Sequence, residues 1–131
     1  KFKKKDFRLF KKFNIKILQV VYNPLFSIAK KKIFQSALKH NISVIVRGSL
    51  AKGLLSSRHL NLNNFDLKRF KQKKIKLSNN KFYSLTNYMQ NTKKNPIKLT
   101  FNNILKNKAV DSLVVGINNE KQLKENLSFF K

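Results

Sequence analysis

With 131 residues, thirty of them Lys or Arg against five Asp or Glu, the chain carries a formal net charge of +25 and has the length of a single domain. Zero Cys excludes disulfides and thiolate-bound metals, and two His with five scattered acids offer no metal-ligand spacing. No apolar run reaches membrane-spanning length, and no stretch resembles a secretory signal.

Residues 1–13 (KFKKKDFRLFKKF) space Phe7, Phe10 and Phe13 at helical intervals, as the inward face of a helix. A helix lying on a membrane surface is the alternative. Residues 15–22 (IKILQVVY) read as a strand that breaks at Asn23-Pro24. The period then lengthens: Ala29, Ile33 and Ala37, with Phe34 and Leu38 beside them, make one helix face while Lys30, Lys31 and Lys32 point elsewhere.

Residues 41–55 (NISVIVRGSLAKGLL) are an apolar run stopping on Arg47, followed by a small-residue loop closed by Gly53. A strand that ends on a cation and free backbone amides suits an anionic or planar guest. The alternative is that Arg47 caps the strand and bridges to Asp66. Residues 65–70 are expected to form a short helix, 76–80 a turn, and 81–90 a helix resting on Phe82, Leu85 and Met89.

Asn95 is placed to cap a helix with Pro96 at its first position, burying Ile97, Phe101, Ile104 and Leu105. Residues 109–116 (AVDSLVVG) read as a buried strand interrupted by one charge, Asp111. Asn119 then caps a last helix lined by Leu123, Leu127 and Phe130, with Gln122 reaching back to the cap. The positive end of that helix suits phosphate.

Strand, helix, strand, long helical connection, strand, helix implies parallel pairing with right-handed crossovers. A doubly wound sheet and part of a β/α barrel both fit. The loop chemistry leans toward the barrel, where phosphate sites are built from loops after the last strands. Three glycines, Gly48, Gly53 and Gly116, cannot spell the GxGxxG of a Rossmann unit.

Taken in order, the blocks 19–26 (QVVYNPLF), 40–58 (HNISVIVRGSLAKGLLSSR) and 96–127 (PIKLTFNNILKNKAVDSLVVGINNEKQLKENL) resemble the carboxyl half of an aldo/keto reductase. The resemblance implies a partial (β/α)8 TIM-type barrel, α/β in class, with parallel strands 6 to 8 and their helices. It implies a single partial domain over 1–131, with 1–13 the end of a preceding helix. In the intact parent, an NAD(P)H-dependent oxidoreductase would reduce a small carbonyl substrate by hydride transfer, with a nicotinamide dinucleotide as coenzyme.

By that resemblance Gln19 hydrogen-bonds the nicotinamide carboxamide, and Arg47 lays its guanidinium plane against the nicotinamide ring. Gly48, Leu50 and Lys52 follow the pyrophosphate. Gly116, Ile117, Asn118, Gln122, Glu125 and Asn126 wrap the adenosine end, Glu125 and Asn126 facing adenine. Gln122 stands where NADPH-selective members often carry Arg, and Ile117 replaces a hydroxyl residue; NADP(H) is nevertheless expected over NAD(H). The family's catalytic Asp, Tyr, Lys and His lie in the other half of the barrel, so no catalytic residue is assigned here, Tyr22, Tyr83 and Tyr88 included. His40 and His59 have no catalytic partner in view. Because the chain starts at Lys1, a truncated record is the expected explanation for the half-barrel, and the cytoplasm is the expected compartment.

The charge has its own rival reading. A basic RNA-associated or ribosomal protein would use lysines on phosphates and some of its twelve Phe on bases. Against this, only four of the thirty cations are Arg, and Lys, Asn, Ile and Phe abound together, the signature of an A/T-biased genome. Phe34 and Phe101 also fall on apolar helix faces. A noncatalytic barrel remnant serving as an interaction module is the third possibility.

Overall fold

Three parallel strands form the frame, in a computed structural model that describes residues 6–24, 31–53, 55–56, 87 and 95–130. They are β1 (Ile17–Val21), β2 (Ser43–Arg47) and β3 (Val110–Val114), side by side in that order with β2 central. Helices α1 (Asp6–Lys12), α2 (Lys31–Lys39) and α3 (Pro96–Leu105) each come before a strand in the chain, and α4 (Glu120–Ser128) follows β3. The element order and the parallel pairing are those expected from the sequence. Of the helix expected over 81–90 only Asn87 is described, and it is helical. Residues 65–70 and 76–80, with Asp66, lie outside the described residues.

Two identical dipeptides make the entries into β1 and β2. After α1, Asn14 adopts φ 53°, and the amides of Asn14 and Ile15 donate to Lys11 O (3.3 Å) and Phe10 O (2.8 Å). After α2, Asn41 adopts φ 51°, and the amides of Asn41 and Ile42 donate to Leu38 O (3.2 Å) and Ala37 O (2.9 Å). Both are left-handed helix caps of the Schellman kind, for which Asn is the best residue after Gly. The following Ile re-enters the core in the second case, Ile42 being buried.

Pleating sorts the strand residues onto two faces. Register pairs Leu18 with Val44 and Val20 with Val46, and this face carries the core: Val20, Val44, Val46 and Val110 are buried beneath Phe34, Ala37 and Ile104. The opposite face holds Ile17, Gln19, Val21, Ile45 and Arg47, and Ile17 is 56% exposed there. In β3 the spacing of Val110 and Leu113 would put them on opposite faces. An irregularity between Val44 and Ile45 corrects the phase: Val44 pairs with Val110, but Ile45 pairs with Ser112 and Val46 with Leu113. Asp111 is the extra residue, and its Oδ2 accepts from the Val44 amide at 2.7 Å. The lone charge in an apolar strand thus supplies the acceptor that the bulge removes from the ladder.

The helices cover the core face. In α2, Phe34 and Ala37 are buried and the Phe34 ring meets Tyr22 edge-on, 4.8 Å between centroids. In α3, Ile97, Thr100, Phe101 and Ile104 are buried in helical sequence. Burying a side chain the size of Phe101 or Val44 contributes about 1.5–3 kcal/mol. The expected inward faces are only partly inward. Phe10 packs on the core, but Phe13 is 64% exposed with Lys12 Nζ above its ring, because the chain turns away after α1. Leu38, Leu123 and Leu127 are also exposed. Phe130 is half exposed yet stacks on Phe101 at 5.6 Å, joining the end of α4 to α3. No helix among the described residues is long and apolar enough to cross a membrane.

Candidate functional site at the carboxyl ends of the strands

Parallel strands bring all their carboxyl ends to one end of the sheet, and there a cavity of about 770 Å³ opens between the loop after β2 and the start of α4. The loop begins at Gly48, whose φ of +65° only Gly adopts without cost; a Cβ there would stand 3.3 Å from Val21 Cγ1. Buried Asn23 donates from Nδ2 to Gly48 O at 2.9 Å and so ties the end of β1 to the loop. A single 3₁₀ turn, Ala51–Gly53, follows, with Ala51 and Lys52 left-handed at φ 49° and 60°. The row of free amides expected here is shorter than the sequence implies: those of Ala51, Gly53, Leu55 and Ser56 donate to carbonyls of the same loop. What the loop offers a guest is chiefly the Lys52 ammonium, the close backbone at Gly48, and the Ser49 and Ser56 region.

Across the cavity, Asn119 caps α4 by accepting from Gln122 N at 2.9 Å. Gln122 Oε1 accepts from Asn118 N at 2.9 Å, one residue earlier than the expected return to the cap itself. With its oxygen held, the Gln122 side chain has its NH₂ group to offer as donor. Glu125 Oε1 accepts from Asn95 Nδ2 at 3.3 Å, linking α4 to the cap of α3, where Asn95 Oδ1 accepts from Ile97 N and Lys98 N. Asn126 is buried, and Lys121 reaches the cavity from the first turn. Two lysines and one glutamate are therefore the charged groups in the wall among the described residues.

Of the residues singled out from the sequence, Gly48, Leu50, Lys52, Gly116, Asn118, Gln122, Glu125 and Asn126 line this cavity. Gln19, Arg47 and Ile117 do not. Gln19 and Arg47 share the face of the sheet opposite the helices, where register makes them diagonal neighbours on β1 and β2. Ile117 is exposed beyond the end of β3. Lys121, Ser49, Ser56 and Ile97 line the cavity without having been singled out as site residues. Lys121 had a legible signal, a cation two residues past the Asn119 cap, whereas the other three are ordinary residues in sequence.

The family model described as "Aldo/keto reductase family" matches residues 6–131. The chain belongs to the aldo/keto reductase family. Among solved structures it is similar to the aldo-keto reductase AKR11C1 from Bacillus halodurans in its holo form, with TM-score 0.70, and in its apo form, with TM-score 0.72. Sequence identity is 23% in both, covering 94% of this chain and 40% of the other. The chain thus spans well under half the length of the reductase structures it matches, and its three strands with their helices are part of that barrel fold. No curated protein sequence matches it significantly. In this aldo/keto reductase chain Tyr22 is used in packing against Phe34.

Proposed function

We propose that this chain provides the coenzyme-binding carboxyl-terminal part of an NAD(P)H-dependent aldo/keto reductase acting on a small carbonyl compound. Residues 1–131 make a single partial domain of the barrel, α1 being the end of the helix before the sixth strand. The observation that carries the reading is the convergence of eight assigned residues, from two segments far apart in the chain, on one cavity of dinucleotide scale.

The donor set fits such a guest. Gly48 lets backbone approach the pyrophosphate, and Lys52 supplies a point charge for it. Gln122 presents its NH₂ to the adenosine ribose, and Glu125 and Asn126 face adenine, with Gly116, Ile117 and Asn118 forming the turn around them. Gln19 and Arg47, on the sheet face opposite the described helices, would take the nicotinamide carboxamide and ring. The bound dinucleotide supplies the hydride for carbonyl reduction. NADP(H) is preferred over NAD(H), because Lys121 adds positive charge beside Gln122 for a ribose phosphate. No residue of this chain is assigned a catalytic role, and the cytoplasm, where nicotinamide coenzymes are regenerated, suits the activity.

The test is titration of the full chain with NADPH, followed by the coenzyme's own emission, which the absence of Trp leaves undisturbed. Saturable enhancement is expected, with Kd raised about three- to tenfold when Lys52 and Lys121 are both changed to Gln. No saturable response overturns the reading. Salt-sensitive RNA retention in its place would favour the RNA-associated alternative.

A further inference from the structure

We propose that Asn95 is a positioning residue that holds the Glu125 carboxylate in the cavity wall, and that it thereby sets affinity for the adenosine end of the coenzyme. The inference rests on the coenzyme reading above. It starts from the two ends of one side-chain amide. Asn95 Oδ1 accepts from Ile97 N at 2.9 Å and from Lys98 N at 3.2 Å, which fixes the amide's orientation and leaves Nδ2 facing away from α3. Nδ2 then donates to Glu125 Oε1 at 3.3 Å, thirty residues on in sequence. Asn95 is half-buried, and its neighbour Ile97 lines the same cavity as Glu125. The cap of one helix is therefore also the clamp on the next.

The choice of a neutral donor has a chemical consequence. Lys121 stands four residues before Glu125 on α4 and lines the same cavity, the spacing at which a helix pairs opposite charges. In the structure Glu125 is engaged by Asn95 instead. A carboxylate held by an amide keeps its charge and its second oxygen for a donor such as the exocyclic amine of an aminopurine. A carboxylate paired with Lys121 would have its field offset by the ammonium, and the lysine would be withdrawn from phosphate. Asn95 thus keeps the acid and the cation of the cavity apart, each available to a different part of one ligand.

Cap-preserving substitutions isolate this role from helix stability. Asn95→Ser and Asn95→Asp both keep an oxygen that caps α3, while the first replaces the Nδ2 donor with a shorter hydroxyl that does not reach Glu125 and the second sets a negative charge against Glu125. Calorimetric titration of the full chain with NADPH and with adenosine 2′,5′-bisphosphate reads the effect, and the thermal midpoint reports folding. We expect Kd for both ligands to rise about fivefold in Asn95→Ser and further in Asn95→Asp, with little change in midpoint. In a Glu125→Gln background Asn95→Ser should add little, since the residue acts through the carboxylate. Wild-type affinity in Asn95→Ser, or an equal loss in both backgrounds, overturns the inference while leaving the coenzyme reading in place. Failure of the unaltered chain to bind either ligand overturns both.

Discussion

Replacing Asp111 tests how the bulge in β3 is held. The Asp111 carboxylate accepts from the amide of Val44, a residue with no solvent exposure in the central strand. Asp111→Ala leaves that amide unpaired in the sheet, and a hydrogen bond to a charged group contributes about 1.5–3 kcal/mol. Asp111→Asn keeps an oxygen in nearly the same place and loses only the charge, so roughly half of the effect should remain. With an unfolding entropy of about 2.1 cal/mol/K per residue, a 131-residue chain loses about 7 °C of midpoint for each 2 kcal/mol. Thermal unfolding followed by far-UV circular dichroism measures the midpoints, and amide exchange at Val44 reports the bond directly. Equal midpoints for Asp111→Ala and the unaltered chain, with Val44 still protected, would refute the assignment of Asp111 as a ladder acceptor.

The left-handed caps predict opposite effects at one position: Asn41→Gly should be neutral within about 0.5 kcal/mol, while Asn41→Val should cost about 1–2 kcal/mol, measured by urea unfolding. Thr100 Oγ1 is buried and has no hydrogen-bond partner among the described residues, so Thr100→Val should be neutral or stabilising by up to about 1 kcal/mol; a loss above that in the same assay would reveal a partner. Phe101 has no exposure and meets the rings of both Phe129 and Phe130, so Phe101→Ala should cost about 3–5 kcal/mol and release the end of α4, seen as increased amide exchange there. Ala51 is buried at φ 49°, so Ala51→Gly relieves backbone strain and should raise the thermal midpoint slightly, without weakening NADPH binding.

Strand positions were legible because each apolar run is short and bounded: Arg47 and Gly48 end β2, and Asn23-Pro24 follows β1. Caps were equally plain, since Asn95-Pro96 and Asn119 carry residue types that few other local structures demand. Exposure of helix faces was less so. Phe13, Leu38 and Leu127 repeat at helical spacing, but periodicity says which side of a helix is apolar and not how much of that side a neighbour covers. The bulge was hidden because Asp111 reads as a charge in a strand, and only pairing with Val44 gives it a task. In the candidate site, the residues matched by family resemblance separated into a cavity group, a pair on the opposite sheet face and Ile117 beyond the end of β3, and the split between the first two depends on strand parity in three dimensions. Asn23 and Ser49 went unremarked as site neighbours because their burial comes from long-range contact, 25 residues in the case of Asn23 and Gly48.

The Asn14-Ile15 and Asn41-Ile42 joints stand at the amino ends of β1 and β2, a full strand length from the Gly48 and Asn118 region that lines the proposed coenzyme site. Two of the turns that steer the chain into the sheet are thereby kept at the pole away from the proposed site. Substitutions at exposed positions of that site, such as Asn118 and Lys121, can accumulate with small loss of folding free energy, so the cavity wall is free to drift while the scaffold's two turning points stay put.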